Sequence, residues 1–158
     1  MSLRLIRNAT MEDVRRELSH MLGEGIVSPA VRQVAEIASR PGQDRISSVF
    51  DFVRGTFPYT PDPIDMELFV SPNRMALAYL SGRIRGDDCD GLALMSGAML
   101  GSLGYPVRIA LLDSSGAGEI DHAVAQVQTE MGWINVDTAS RLPLGWIYPR
   151  IMEIIEPQ

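Results

Sequence analysis

The 158-residue sequence contains a single cysteine, Cys89, and it is short of basic residues. One cysteine excludes an internal disulfide and any zinc or iron–sulfur site built from several cysteines. Lysine and arginine together number 14 against 20 acidic residues, which leaves a formal net charge of −6. Nucleic acid binding needs a basic face, so this balance predicts that nucleic acid is not a partner.

Long apolar runs are also missing. The N-terminus carries arginines without the apolar stretch of a signal peptide, and no segment approaches the length of a membrane span. We therefore expect a cytoplasmic protein without a membrane partner. The apolar C-terminal segment 143–158 is short and interrupted by prolines, which favours docking on the domain or on a partner protein.

The sequence does contain enough apolar material for a core. Hydrophobic residues make up 46% and charged residues 22% of the chain, which is typical of soluble globular domains. The length predicts one domain over residues 1–158, with residues 1–25 as a candidate peripheral helical appendage. The composition predicts no oligomeric state.

Four helices are predicted in the first half of the chain. Thr10 or Asn8 is the candidate cap of the first helix, and Ser28 followed by Pro29 begins the second. Apolar residues at helical spacing indicate a third helix over residues 44–57 and a shorter one over 73–83. The segment between them contains four prolines, which predicts an extended connector or an ordered loop.

The next predicted helix carries the cysteine. It begins near Asp87 or Asp88 and stops at Gly104, a favourable residue just past a helix end. Each glycine within it costs about 1 kcal/mol of intrinsic helix stability relative to alanine. Packing must offset that cost, which places this helix at the centre of the fold.

After this helix the apolar period changes to two. Strands are predicted over residues 105–113, 122–128 and 133–139. The expected class is therefore α+β, with N-terminal helices and a central cysteine-bearing helix packed on a small antiparallel sheet.

The last two predicted strands place a histidine near an acid. If residues 129–132 form a four-residue hairpin loop, Val124 faces Asp137, and His122 lies two residues from Val124 on the same face. His122 and Asp137 are then diagonal neighbours, roughly 7 Å apart at the backbone and within reach of a side-chain hydrogen bond. A loop longer or shorter by one residue would put the two side chains on opposite faces.

These residues supply the parts of a thiol nucleophile. A cysteine at a helix N-terminus feels the positive end of the helix dipole, which favours thiolate. A histidine beside it accepts the proton, and an acid beyond the histidine fixes its tautomer. The candidate catalytic residues are therefore Cys89, His122 and Asp137, with the backbone N–H of Cys89 as one oxyanion donor and Tyr59 or Asn135 as candidates for a second.

Three neighbouring acids work against a thiolate. Asp87, Asp88 and Asp90 surround Cys89 in the chain, and negative charge near a thiol raises its pKa. Aspartates also cap free N–H groups in the first turn of a helix. If their side chains turn toward those amides, the sulfur feels less of their charge, so both interpretations stay open. A buried, inert cysteine is the plain alternative to a catalytic one.

The order of these motifs resembles the transglutaminase-like superfamily, whose members share the papain-like cysteine protease fold. The resemblance rests on the hexapeptide Gly-Asp-Asp-Cys-Asp-Gly at 86–91, an apolar helix, Asp-His-Ala at 121–123 and the segment 132–139. Upstream, residues 35–63 and 67–72 are similar to the bacterial and phage-associated branch. Together these motifs cover roughly residues 30 to 140.

The resemblance implies a nucleophile at Cys89, a base at His122 and an orienting acid at Asp137. The family includes proteases, amidases, cross-linking enzymes and inactive relatives, so the resemblance alone does not choose the reaction. Because water is always available and no amine site is marked in the sequence, we expect a cysteine protease or amidase that hydrolyses a protein or peptide substrate rather than a cross-linking enzyme. The alternative is a catalytically inactive, phage-related binding or structural module. The sequence departs from the family near the cysteine. An extra aspartate separates Gly86 from Cys89, and Gly91 stands where a second aspartate is common.

No cofactor or metal is expected. A calcium site formed by Asp87, Asp88 and Asp90 with Asp113, Glu119 and Asp121 is the alternative that the acidic residues suggest. Calcium needs six or more oxygen ligands in a tuned loop, and the spacing of an EF-hand is missing from the sequence.

Overall fold

A computed structural model describes residues 3–7, 10–63 and 66–158 of the chain. Its helices are α1 (Met11–Ile26), α2 (Pro29–Ala38), α3 (Arg45–Thr56), α4 (Pro72–Leu80) and α5 (Cys89–Ser102). Its strands are β1 (Leu3–Arg7), β2 (Met66–Val70), β3 (Val107–Asp113), β4 (His122–Thr129), β5 (Gly132–Val136) and β6 (Arg150–Ile155). The predicted α+β class is confirmed.

Capping side chains set where the helices begin. The Thr10 hydroxyl accepts a hydrogen bond from the backbone N–H of Asp13, whose carboxylate in turn accepts one from the Thr10 N–H, a complete capping box. Ser28 caps α2 ahead of Pro29, as predicted. Ser71 caps α4, which begins at Pro72 rather than at residue 73. Local sequence therefore determines these boundaries.

Helix α5 is the central element, as predicted. Every residue from Gly91 to Leu100 is buried. Small residues allow α1 to cross it closely, since a Cβ added to Gly25 would lie 2.7 Å from the Cβ of Ala98. Leu18, Met21 and Leu22 of α1 have no exposed surface. Residues 11–25 are therefore part of the core and not a peripheral appendage.

The main sheet has four antiparallel strands in the order β5-β4-β3-β6. One face, from Ala123, Ala125 and Val127 among others, packs on α5 and the helical core. Strand β6, which pairs with β3, was not predicted, although the expected docking of the C-terminal segment on the domain is confirmed. The pairing of β1 with β2 was also not predicted, and β2 lies in the segment that we expected to be an extended connector or loop.

The described helices are all too short or too polar to cross a membrane. The longest, α1, has 16 residues and its outer face is charged.

Candidate active site

Cys89 is the first residue of α5. Asp88 caps the helix, and its carboxylate accepts a hydrogen bond from the backbone N–H of Gly91 at 3.2 Å. The sulfur of Cys89 also lies beside the backbone N–H groups of Ala123 and Asp90, both of which favour its charged form. The predicted placement of the cysteine at a helix N-terminus is confirmed, and strand β4 passes directly next to it.

The hairpin has the register that the sequence predicts. Gln128 lies opposite Trp133, and the pairing extends one step further to Thr129 and Gly132. The loop between the strands is therefore two residues long rather than four. Removing one residue from each side of a loop leaves the facing of every side chain unchanged, so the predicted parity is retained.

This register brings His122 and Asp137 together. His122 begins β4 and Asp137 directly follows β5. Nε2 of His122 lies 2.9 Å from Oδ2 of Asp137, within hydrogen-bond range. The contact engages Nε2 and sets the orientation of the imidazole ring.

Asp137 is held as a carboxylate. Its side chain is 1% exposed, and burial alone would raise its pKa. Hydrogen bonds from His122 and Tyr148 outweigh burial and hold the pKa of Asp137 below its ordinary value. The backbone N–H of Ala139 donates to the other carboxylate oxygen at 3.1 Å. An ionised acid beyond the histidine is what a catalytic triad requires.

Tyr148 also contacts the His122–Asp137 pair, and this contact was not predicted from the sequence. Its hydroxyl donates to Oδ2 of Asp137, the oxygen that also contacts His122. Its ring meets the imidazole edge-on, with the centroids 5.5 Å apart. Burial, and then the bond to Asp137, raise the pKa of Tyr148 to about 12, so the hydroxyl stays protonated and donating at neutral pH.

The segment that carries Tyr148 is fixed by polar contacts. Arg54 of α3 donates to the backbone oxygens of Asp137, at 2.9 Å, and of Leu142. Asn135 donates its amide to the Trp146 carbonyl at 2.9 Å. These contacts fold residues 138–148 back over the outer face of the sheet, where Tyr148 packs beside Val124. The sequence offered one signal, a tyrosine in an apolar C-terminal segment, without saying where it docks.

Cys89 and His122 line the same cavity, which has a volume of about 220 Å³. We call it the Cys89 cavity. One part of its wall is acidic, from Asp88, Asp90 and Asp121, and the rest is apolar, from Met11, Val14, Leu111 and Ile120. Met11 and Val14 belong to α1, a helix whose contribution to the site was not predicted from the sequence.

The thiol is electrostatically restrained at rest. Burial, followed by the charges of Asp90 and Asp88, raises the pKa of Cys89 well above its ordinary value. The sulfur lies 3.8 Å from a carboxylate oxygen of Asp90. Burial, with the charges of the acids adding to it, outweighs the backbone N–H groups of Ala123 and Asp90 that favour the thiolate. The raised pKa favours the neutral thiol over the thiolate at neutral pH.

Behind Cys89 lies a cluster of three carboxyl groups, Asp62, Asp87 and Asp88, with one oxygen of each within 4.8 Å of the others. We call these residues the acid cluster. Burial and then the charge of Asp88 raise the pKa of Asp87 to about 8. Burial and then the charge of Asp62 raise that of Asp88 to about 6. Crowding of this kind makes the carboxyl groups hold protons or share a cation.

Gly91 makes room for the acid cluster. A Cβ at this position would lie 2.0 Å from Oδ2 of Asp87, far inside contact distance. The departure from the family pattern at Gly91 thus accompanies the extra aspartate before Cys89. Both changes serve one arrangement, in which the Asp87 carboxyl packs against the first turn of α5.

The alternative calcium set is not brought together. Asp113 accepts the backbone N–H groups of Gly116, Ala117 and Gly118 within its own loop. Asp121 accepts from the N–H and hydroxyl of Ser114. Among the described residues, the three-carboxyl group that could hold a cation is the acid cluster, of which Asp87 and Asp88 alone belong to the set that the sequence suggested.

The two candidate oxyanion donors differ. Asn135 is 8% exposed, and its side chain is engaged in other contacts, since it accepts a hydrogen bond from Gln126 and donates one to the Trp146 carbonyl. Tyr59 lies close enough to Cys89 that the charged sulfur raises its pKa, after burial. Tyr59 pairs through its backbone with Asp87, two residues before Cys89, and stays a candidate donor.

The family model described as transglutaminase-like superfamily matches residues 30–138. The chain belongs to the transglutaminase-like superfamily. That match covers more than half of the chain and includes Cys89, His122 and Asp137. No curated protein matches the sequence.

Two solved structures share the transglutaminase-like fold of this chain. One is a candidate cysteine protease from Cytophaga hutchinsonii, with a TM-score of 0.57 at 14% identity over 92% of this chain. The other is a candidate protease from Parabacteroides distasonis ATCC 8503, with a TM-score of 0.51 at 12% identity over 82%. This chain covers 53% and 27% of their lengths, so it corresponds to part of each.

Proposed function

We propose that this chain is a cysteine hydrolase that cleaves an amide bond in a peptide or protein, with Cys89 as nucleophile, His122 as base and Asp137 as orienting acid. The observation that carries the proposal is the His122–Asp137 hydrogen bond at the edge of the cavity that also contains Cys89. Family membership supports acyl transfer by cysteine in general. A cytoplasmic location is part of the same proposal.

The proposed reaction begins from a neutral thiol. As the Cys89 sulfur attacks the amide carbonyl, its proton passes to Nδ1 of His122, and Asp137 stabilises the imidazolium that forms. The backbone N–H of Cys89 and the Tyr59 hydroxyl are the proposed donors to the oxyanion. When the C–N bond breaks, His122 returns the proton to the leaving amine, and a thioester remains on Cys89.

Water completes the cycle in this proposal. His122 takes a proton from water as its oxygen attacks the thioester carbonyl, and the proton then returns to the sulfur as the C–S bond breaks. The products are a carboxylic acid and the free thiol. Hydrolysis is preferred to cross-linking because water reaches any partly open cavity, whereas an amine acceptor needs a site of its own.

A second candidate is a binding or structural module that keeps the fold without turnover. The specific observation in its favour is the raised pKa of Cys89, which burial and the neighbouring aspartates cause. An activated thiol has a lowered pKa in most enzymes of this type. The two candidates differ in whether His122 takes a proton from the sulfur.

Alkylation of the single cysteine distinguishes the two candidates. Iodoacetamide labelling followed by intact mass reports Cys89 alone, because the chain has no other thiol. If His122 acts as base, we expect His122→Ala to slow labelling at pH 7 by about tenfold or more. The matched control is His20→Ala, which removes the other histidine, an exposed residue paired with Glu24 on α1.

One labelling outcome would contradict the proposed enzymatic activity. Equal labelling rates in the wild type and His122→Ala, both rising with pH as a simple thiol titration, would show that the imidazole does not act on the sulfur. That outcome favours the non-catalytic module. Circular dichroism of each variant checks that the fold is retained.

A further inference from the structure

A second cavity lies outside the active site, between one face of α4 and the segment that follows it. Its volume is about 360 Å³. Its lining contains three arginines, Arg74, Arg83 and Arg85, and two exposed apolar side chains, Leu77 and Ile84. We call it the arginine groove. No acidic residue contributes to the lining, although acids outnumber basic residues in the chain as a whole.

The charges of this groove are poorly neutralised. Elsewhere, Arg15 pairs with Glu153 and Arg32 with Glu36. Within the described part of the chain, the side chains of Arg74 and Arg83 form no hydrogen bond or ion pair. The charge of Arg85 lowers the pKa of Asp87 without a direct hydrogen bond between the two side chains. Arg85 also lines a neighbouring cavity with Asp62 and Asp87, whereas Arg74 and Arg83 have no ion-pair partner among the described residues. Like-charged guanidinium groups in one groove repel one another. An anionic ligand would relieve that repulsion.

The backbone holds the groove in place before any ligand arrives. Gly82, with φ of +79°, ends α4, and the N–H groups of Gly82 and Arg83 donate to the carbonyls of Tyr79 and Ala78 at 2.9 and 2.8 Å. This pair of bonds is a Schellman motif. Further on, Asp87 pairs with the chain near Tyr59. Residues 83–85 are therefore fixed at both ends, which lowers the entropy lost on binding.

We propose that the arginine groove binds an acidic segment of another polypeptide, with carboxylates on the guanidinium groups and an apolar side chain between Leu77 and Ile84. Two features favour a peptide over nucleic acid. The lining offers exposed aliphatic surface and contains no aromatic side chain for base stacking. The net charge of −6 also repels a long polyanion, whereas a short acidic segment meets only the local field.

Fluorescence anisotropy with a defined peptide tests this proposal. The probe is fluorescein-labelled Glu-Leu-Glu-Glu-Leu-Glu, and the comparison peptide has glutamine in place of every glutamate. We expect saturable binding of the acidic peptide that weakens at high salt, and no binding of the glutamine peptide. In the triple variant Arg74→Gln, Arg83→Gln, Arg85→Gln, the dissociation constant should rise by about tenfold or more.

The matched control removes the same charge elsewhere. Arg40→Gln, Arg141→Gln, Arg150→Gln changes three exposed arginines outside the groove and should leave binding unchanged within about twofold. Equal losses in both triple variants would show a general charge effect and overturn the proposal. So would the lack of binding to the wild type, or tighter binding of a single-stranded oligothymidine than of the acidic peptide. Because hydrolysis is not measured, the result is independent of the proposed enzymatic activity.

Discussion

The candidate site has a sheet side, which carries His122 and Asp137, and a helix side, which carries Cys89, and the two sides differ in their electrostatic surroundings. On the sheet side, His122, Asp137 and Tyr148 form a connected hydrogen-bonded group. On the helix side, Cys89 stands among carboxyl groups that raise its pKa. The hydrogen bonds of the sheet side are already formed, whereas the surroundings of Cys89 on the helix side disfavour its thiolate.

The difference shows where activation would have to come from. A neutral thiol is a weak nucleophile, so the sheet side must accept its proton during attack. The positive end of α5 and the nearby N–H groups do not by themselves produce a thiolate here. Substitutions on the helix side should therefore alter the pKa of the Cys89 thiol, and substitutions on the sheet side should alter proton transfer from it.

The largest expected effect is the loss of the nucleophile. We expect Cys89→Ala to lower hydrolysis of a peptide library by at least about 10³-fold, because no other thiol is present. Mass spectrometry of the peptides measures cleavage. The melting temperature should change little, since the side chain is small and only partly buried. Retained cleavage in Cys89→Ala would place the chemistry elsewhere.

The next largest effect is expected from removing a negative charge beside Cys89. Asp90→Asn removes a charge that raises the pKa of Cys89, so more thiolate should be present at a given pH. The iodoacetamide rate at pH 8 should rise, by about tenfold for each unit by which that pKa falls. Asp51→Asn, which removes a surface carboxylate on α3, is the control and should leave the rate unchanged. An unchanged rate in Asp90→Asn would mean that the charge of Asp90 does not raise the pKa of Cys89.

A smaller effect is expected on the sheet side. Tyr148→Phe keeps the ring against His122 but removes the hydroxyl that donates to Asp137. We expect kcat to fall about three- to tenfold with KM unchanged. The pKa of Asp137 should rise with one donor lost, and the acidic limb of the pH–rate profile should move with it. A positioning role predicts this shift, whereas an equal change in kcat at every pH would indicate a packing role only.

The smallest effect concerns stability and pH. The folded pKa of Asp87 is about 8 against an ordinary value of 3.8, so the folded protein holds a proton that the unfolded chain has lost. The stability from this group is complete below about pH 4 and falls as pH rises through 8. The Asp87→Asn variant has no titrating carboxyl at this position, so it does not lose this stability as pH rises. The difference in melting temperature between Asp87→Asn and the wild type should therefore shift in favour of the variant by a few degrees between pH 5 and pH 8.

Asp121→Asn supplies the opposite control for this measurement. Hydrogen bonds from Ser114 hold the pKa of Asp121 below its ordinary value. Its stabilising contribution is present above about pH 4 and lost as pH falls through the folded pKa. This variant should be less stable than the wild type at neutral pH and approach it in acid. A constant difference between the wild type and Asp87→Asn across the range would contradict the proposed proton on Asp87.

Much of this architecture was predictable from local pattern. Caps at Thr10 and Ser28, the central position of α5 and the facing of His122 and Asp137 followed from residue type and period. Strand β6 and the pairing of β1 with β2 were missed, because strands of five or six residues carry too little periodicity to recognise, and prolines flank β2 and β6.

The sequence by itself determined that a cysteine would begin a helix and that a histidine and an acid would share one face of a hairpin. Capping and side-chain alternation act between near neighbours, so they can be read along the chain. Only the tertiary structure decided that Tyr148 would complete the pair and that Met11 and Val14 would line the Cys89 cavity. It also decided that burial and the neighbouring aspartates would raise the pKa of the thiol, because burial and distance in space, not spacing in sequence, set the strength of each effect.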